Sequence, residues 1–138
     1  MPQYHNSNKK MGNDFEREFC KMLSHFGFWV HNMAQNQAGQ PADVIAVRNH
    51  HAYLIDCKVC SGRGFPLSRI EDNQELSMNL WRVCGNGEAW FAFLINKEVY
   101  MLPYYTLSCY KGYGKTYISC KEIMEIGRFF DGWVRKCK

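Results

Sequence analysis

The sequence predicts an α/β domain: a small mixed β-sheet with helices packed against it. Three observations predict it. A first segment repeats apolar residues at spacings of three and four. Five later runs of six to eight residues read as strands, and a second helical pattern stands between the third and fourth of them. The order is α-β-β-β-α-β-β, followed by helical turns.

The first helix runs from Asn13 to His25, with Phe15, Phe19, Met22 and Phe26 as its apolar stripe, Gly12 and Asn13 at its start and Gly27 as its stop. "FWVHNMA" (28–34) reads as a strand and "NQAGQP" (36–41) as a turn-rich loop. "ADVIAV" (42–47) and "AYLIDCKV" (52–59) flank the short connection "RNHH", which makes them a hairpin. "CSGRGFPL" (60–67) is a glycine-bearing loop. Ser68 and Glu71 have capping-box spacing for the second helix, whose stripe is Leu76, Leu80 and Val83 with Trp81 beside it, and Gly85 ends it. "EAWFAFLI" (88–95) and "EVYMLP" (98–103) are strands joined by a tight Asn96-Lys97 turn. A second capping box, Ser119 with Glu122, opens a helical C-terminal extension over 119–136.

The 138 residues suit one domain: a polar, flexible arm over 1–11 and a single folded unit over 12–138, with its core in about 12–103. No internal repeat is present. The polar opening "MPQYHNSNKK" has no apolar segment of a signal peptide, and no run approaches the roughly 20 apolar residues of a membrane span. Seven scattered cysteines, an odd number, argue for reduced thiols and a cytoplasmic protein rather than a disulfide framework. The formal charge of +4 permits a polyanionic partner without demanding one.

Chemistry concentrates in "LIDCKVC" (54–60). Alternation puts Asp56 and Lys58 on one face of the strand, and Tyr53, Ile55, Cys57 and Val59 on an apolar opposite face. Asp43 begins the neighbouring strand, so the hairpin can bring two carboxylates and an ammonium to one edge of the sheet. Carboxylates that close either share a proton or bind a hard divalent cation, and oxygen ligands suit Mg²⁺ or Mn²⁺. Such a cation serves phosphodiester hydrolysis, with lysine orienting water or stabilising the transition state. The plain alternative is an internal Asp56–Lys58 ion pair with Asp43 capping a turn.

"PAD" (41–43) followed by "DCK" (56–58) resembles the signature of the PD-(D/E)XK nuclease superfamily. "GNDFEREF" (12–19) is similar to the opening of the first helix in archaeal-type and RecU-like Holliday junction resolvases, and "RIEDNQELSMNLW" (69–81) puts a glutamine on the helix after the lysine strand. The resemblance spans 12 to about 103. It differs in the spacing of Pro41 from Asp43, in Asp56 where resolvases mostly carry Glu, and in lacking a serine before the first aspartate. It implies a restriction-endonuclease-like α-β-β-β-α-β core and a Mg²⁺-dependent, structure-selective endodeoxyribonuclease that cuts branched DNA, with Mn²⁺ able to substitute. Asp43 and Asp56 would be metal ligands with the Cys57 carbonyl, and Lys58 would position the attacking water. Glu16 would complete the site directly or through water, and Gln74 would hold a water, a phosphate or Lys58. Periodicity does not choose between Glu16 and Glu18; the resemblance favours Glu16, and Asn13 with Glu16 can equally be a capping box. A homodimer is implied, because resolving a four-way junction needs two symmetric nicks. So is a role in recombination, repair or processing of phage DNA, in a bacterial, archaeal or phage-infected cell.

Two other functional readings stand beside it: a nuclease for flaps, ends or duplex sites, and a catalytically silent DNA-binding module on the same fold. Arg63 in "SGRGFP", Lys111 and Lys115 in "KGYGK", and Arg69, Arg17 and Arg48 are candidate phosphate contacts. Cys57-x-x-Cys60 lacks the second close pair that a zinc site needs, so Cys57 reads as core.

Overall fold

A computed structural model describes residues 3–33 and 42–138, with side chains from Lys10 onward. The loop expected at 36–41, with Pro41, and the end of the first expected strand lie outside the described residues. The sheet has six strands in the order β1-β2-β3-β5-β6-β8: β1 (Trp29–Asn32), β2 (Val44–Arg48), β3 (His51–Val59), β5 (Trp90–Ile95), β6 (Glu98–Pro103) and β8 (Arg128–Phe129). Between β3 and β5 falls β4 (Phe65–Pro66), which pairs with β7 (Tyr117–Ile118) in a separate ribbon. All pairings in the main sheet are antiparallel except β3 with β5. That one parallel pair requires a crossover, and α2 (Asp72–Trp81) supplies it.

Helices cover both faces. α1 (Gln3–His25) and α5 (Phe130–Lys136) pack on one, burying Phe15, Phe19, Leu23, Ile55, Met101 and Trp133. On the other lie α2, α3 (Tyr104–Gly112) and α4 (Cys120–Ile126), over Leu54, Met78, Phe91, Phe93, Leu107 and Ile123. The mixed α/β class is as expected, and so are the β2–β3 and β5–β6 hairpins. Their turns place Asn49, His50, Asn96 and Lys97 at positive φ, the geometry of two-residue hairpin connections. No helix described is long and apolar enough to cross a membrane.

Four local expectations change. α1 starts at Gln3 rather than near Asn13, so most of the stretch expected as a flexible arm is helical: Gln3–His25 contains no proline, and a glycine inside a helix, here Gly12, costs only about 1 kcal/mol. The stripe of α1 ends on buried Leu23, while Phe26 lies beyond the helix and is exposed. Ser68 sits in a short 3₁₀ turn, and the N-cap of α2 is Glu71. The C-terminal helix is broken at Gly127, where a Cβ would stand 2.5 Å from the Ile123 carbonyl; β8 intervenes before α5. Ser119 does cap α4, its Oγ accepting the Glu122 N–H at 3.0 Å.

The correction with most consequence concerns α2. Leu76, Leu80 and Val83 are 71%, 62% and 81% exposed, whereas Gln74 and Met78 are buried. Both sets have helical spacing, so the period was correct and the phase was not.

Candidate active site

The site forms where β2 begins and β3 runs on past it. The Asp43 N–H donates to the Ile55 carbonyl at 3.2 Å, which continues the β2–β3 ladder one step beyond the Val44–Ile55 pair. Asp43 therefore stands opposite Asp56. Its Oδ2 accepts the Cys57 N–H at 2.8 Å, fixing the carboxylate against β3. Asp56 is only 1% exposed and Asp43 8%. The Lys58 ammonium lies 3.0 Å from Asp56 Oδ2, an ion-pair distance without hydrogen-bond alignment. From the layer above, Gln74 Nε2 donates to Asp56 Oδ1 at 3.1 Å. That bond explains why a glutamine occupies the inward face of α2: a buried carboxylate needs donors, and a hydrogen bond to a charged group contributes roughly 1.5–3 kcal/mol. Gln74 reaches Asp56 rather than Lys58.

Electrostatics tie in the opposite layer. Burial, then the neighbouring charge of Asp43, push Glu16 up to about 7, while Lys58 pulls it down. Glu16 thus faces the pair from α1. Asn13 lies inside α1 and caps nothing, which removes the capping-box alternative for Glu16. Glu18 is exposed and pairs with Lys21 at 3.4 Å. Burial, then Asp43, raise Asp56 to about 8, with Lys58 opposing. Cys20, one turn after Glu16, is pushed up to about 11 by burial, Glu16 and Asp43. Sequence reading missed Cys20 as a neighbour of the site, although its i+4 spacing from Glu16 was the available signal.

Two buried carboxylates pressed together, one of them with an oxygen lacking an aligned donor, are poorly neutralised by a single ammonium. The donor set fits a hard divalent cation. Among the described residues no three His, Cys, Asp or Glu side chains gather into a cluster of metal ligands.

The basic candidates separate. Arg63 and Lys115 are exposed. Arg69 is exposed and lies over the Phe65 ring at 5.2 Å, and Arg17 pairs with Asp14 on α1. Lys111 is not a loop residue: it lies in α3 and is committed to Glu75 at 2.8 Å. Arg48 is structural. It donates to the carbonyls of Phe26, Val134, Cys137 and Lys138 and lies over Phe28, so it ties together the C-terminal ends of α1 and α5. Cys57 belongs to the α1-side core and Cys60 to the other, which separates the Cys-x-x-Cys pair across the sheet.

The solved structure of Archaeoglobus fulgidus Hjc, a Holliday junction resolvase from an archaeal hyperthermophile, is similar in fold: TM-score 0.64 at 19% identity, over 88% of this chain and 96% of that one. No curated protein gives a significant match. The profile of the family described as archaeal Holliday junction resolvase (hjc) matches residues 7–131, nearly the whole chain. With an acidic pair, a lysine and a glutamine arranged at the end of β3, this chain belongs to the archaeal Holliday junction resolvase family, the junction-resolving nucleases.

Proposed function

We propose that the protein is a Mg²⁺-dependent endodeoxyribonuclease that acts as a homodimer, nicking opposed strands of a four-way junction, with Mn²⁺ able to replace Mg²⁺. The observation that carries the reading is the buried Asp43–Asp56 pair with Lys58 at 3.0 Å from Asp56. Asp43 and Asp56 would hold the cation together with the Cys57 carbonyl, and Glu16 would complete the site directly or through water. A bound divalent cation supplies Lewis-acid polarisation of the phosphodiester and a more acidic water. Gln74 keeps Asp56 in one rotamer. Lys58 orients the water and meets the negative charge that builds on phosphorus. Glu16, near 7, can hold or release a proton beside the site at neutral pH. Arg63, Arg69 and Lys115 contact phosphates, which gives affinity without reading sequence.

The outward stripe of α2 supports the dimer. Leu76 and Leu80 on α2, and Val83 in the π-helical turn Arg82–Asn86 that follows it, expose apolar side chains to solvent, and exposed apolar surface marks association sites. A second copy of the chain is the occupant that two symmetric nicks require. Leu80→Glu should fold, because the side chain is already 62% exposed, yet sediment as a monomer where the wild type is a dimer. A dimer of unchanged affinity would remove this surface from the proposal.

The test of the function is cleavage of immobile and mobile four-way junctions, compared with flaps and linear duplex, in Mg²⁺, Mn²⁺ and EDTA. Paired nicks near the branch, present with either cation and absent with EDTA, are the expected result. Equal cutting of flaps or plain duplex would move the substrate assignment, and cutting in EDTA would overturn the cation dependence.

A further inference from the structure

Cys60 ends the run that carries Asp56 and Lys58, and its sulfur is not isolated. Cys60 Sγ lies 2.7 Å from Cys120 Sγ, well inside van der Waals separation, although 60 residues separate them in the chain. Both ends are anchored. The Cys60 N–H donates to the Leu94 carbonyl at 3.0 Å, and Cys120 opens α4 directly after its Ser119 cap. Between them the backbones are in close contact: Phe65 pairs with Ile118, and a Cβ on Gly64 would stand 2.3 Å from the Ile118 carbonyl oxygen. The two sulfurs therefore face each other across a seam that is already closed, so a bond of about 2.05 Å needs little backbone movement.

We propose that Cys60 and Cys120 are a redox modification site, which a low-molecular-weight disulfide such as oxidised glutathione converts to an intramolecular disulfide. Cys60 is 4% exposed and Cys120 only partly buried, so Cys120 is the sulfur that the small disulfide reaches. Its thiolate attacks one glutathione sulfur; that S–S bond breaks, and the departing thiolate takes up a proton. Cys60 then gives its proton to solvent, attacks the Cys120 sulfur and expels the second glutathione. Two protein thiols lose two electrons and two protons, and one oxidised glutathione becomes two reduced ones. The cross-link joins the end of the Asp56–Lys58 strand to α4 and clamps the Arg63 loop between them.

The experiment incubates the full chain with oxidised glutathione, alkylates the remaining thiols and maps the peptides by mass. The expected product is a Cys60–Cys120 peptide pair 2 Da below the sum of its reduced parts, with the other cysteines alkylated. The melting temperature should rise by about 5–10 °C, return on treatment with dithiothreitol, and not rise in Cys120→Ser. A persistent glutathione adduct on Cys120 with Cys60 still alkylatable overturns the proposal, and so does cross-linking through exposed Cys84 instead.

Discussion

Asp56→Asn should abolish cutting while leaving junction binding intact, with the cleavage rate falling by about 10³-fold or more. In the proposed mechanism the substitution removes one of two carboxylates that would hold the cation, and cation stabilisation of a developing charge amounts to several kcal/mol, at 1.36 kcal/mol per decade of rate. It should not unfold the protein. Asparagine keeps the shape and the Gln74 contact, and it removes a buried charge that burial and Asp43 oppose. Single-turnover cleavage, electrophoretic binding to junction DNA and a thermal melt on the same preparation separate these effects. Cleavage within tenfold of wild type would remove Asp56 from the cation site. Loss of both folding and binding would mark it as a structural ion-pair residue.

Without a divalent cation, stability should fall as pH rises from 5 to 8. Asp56 has an ordinary value of 3.8 and stands at about 8 in the folded protein; Glu16 moves from 4.5 to about 7. Between those limits the folded state holds more protons than the unfolded chain. By linkage, the contribution is fully present below about pH 4 and is lost as pH rises through the folded values. Glu16 is half-buried and contributes less than Asp56. In EDTA the melting temperature should drop by about 5–10 °C from pH 5 to pH 8. Mg²⁺ should restore much of the loss at pH 8, because the cation neutralises the same pair, and Asp56→Asn should flatten the dependence. A wild-type curve in EDTA that rises over this interval, or matches that of Asp56→Asn, would show that the pair is not strained.

The largest departure from the sequence reading, on α2, has a simple cause. Hydrophobic periodicity reports the spacing of a stripe and not its direction. Along α2 and the π-helical turn Arg82–Asn86 after it, positions 76, 80 and 83 and positions 74, 78 and 81 repeat identically. The row with the stronger hydrophobes was expected inside, and it faces solvent. The inward row was selected by a polar requirement, the Asp56 carboxylate, which no transfer scale records. On α1 the same ambiguity left Glu16 and Glu18 equivalent by period, and only the family resemblance favoured Glu16. Packing against β3 separated them, sending Glu16 toward Asp43 and Lys58 and Glu18 to solvent beside Lys21. Basic residues were the least legible. Arg48 and Lys111 looked like phosphate contacts, but one binds helix-end carbonyls and the other Glu75, partners distant in sequence.

Local chemistry made much of the molecule readable from the chain. Two-residue hairpin turns, the Ser119 cap and strand alternation depend on neighbours a few positions apart, so the α/β class, both hairpins and the shared face of Asp56 and Lys58 were determined by sequence alone. The depth of burial of the acidic pair, the exposed row on α2 and the meeting of Cys60 with Cys120 were decided only by tertiary structure. Each depends on how a helix is rotated, or how two segments more than ten residues apart are apposed, and those are set by packing of the whole core rather than by any local run of residues.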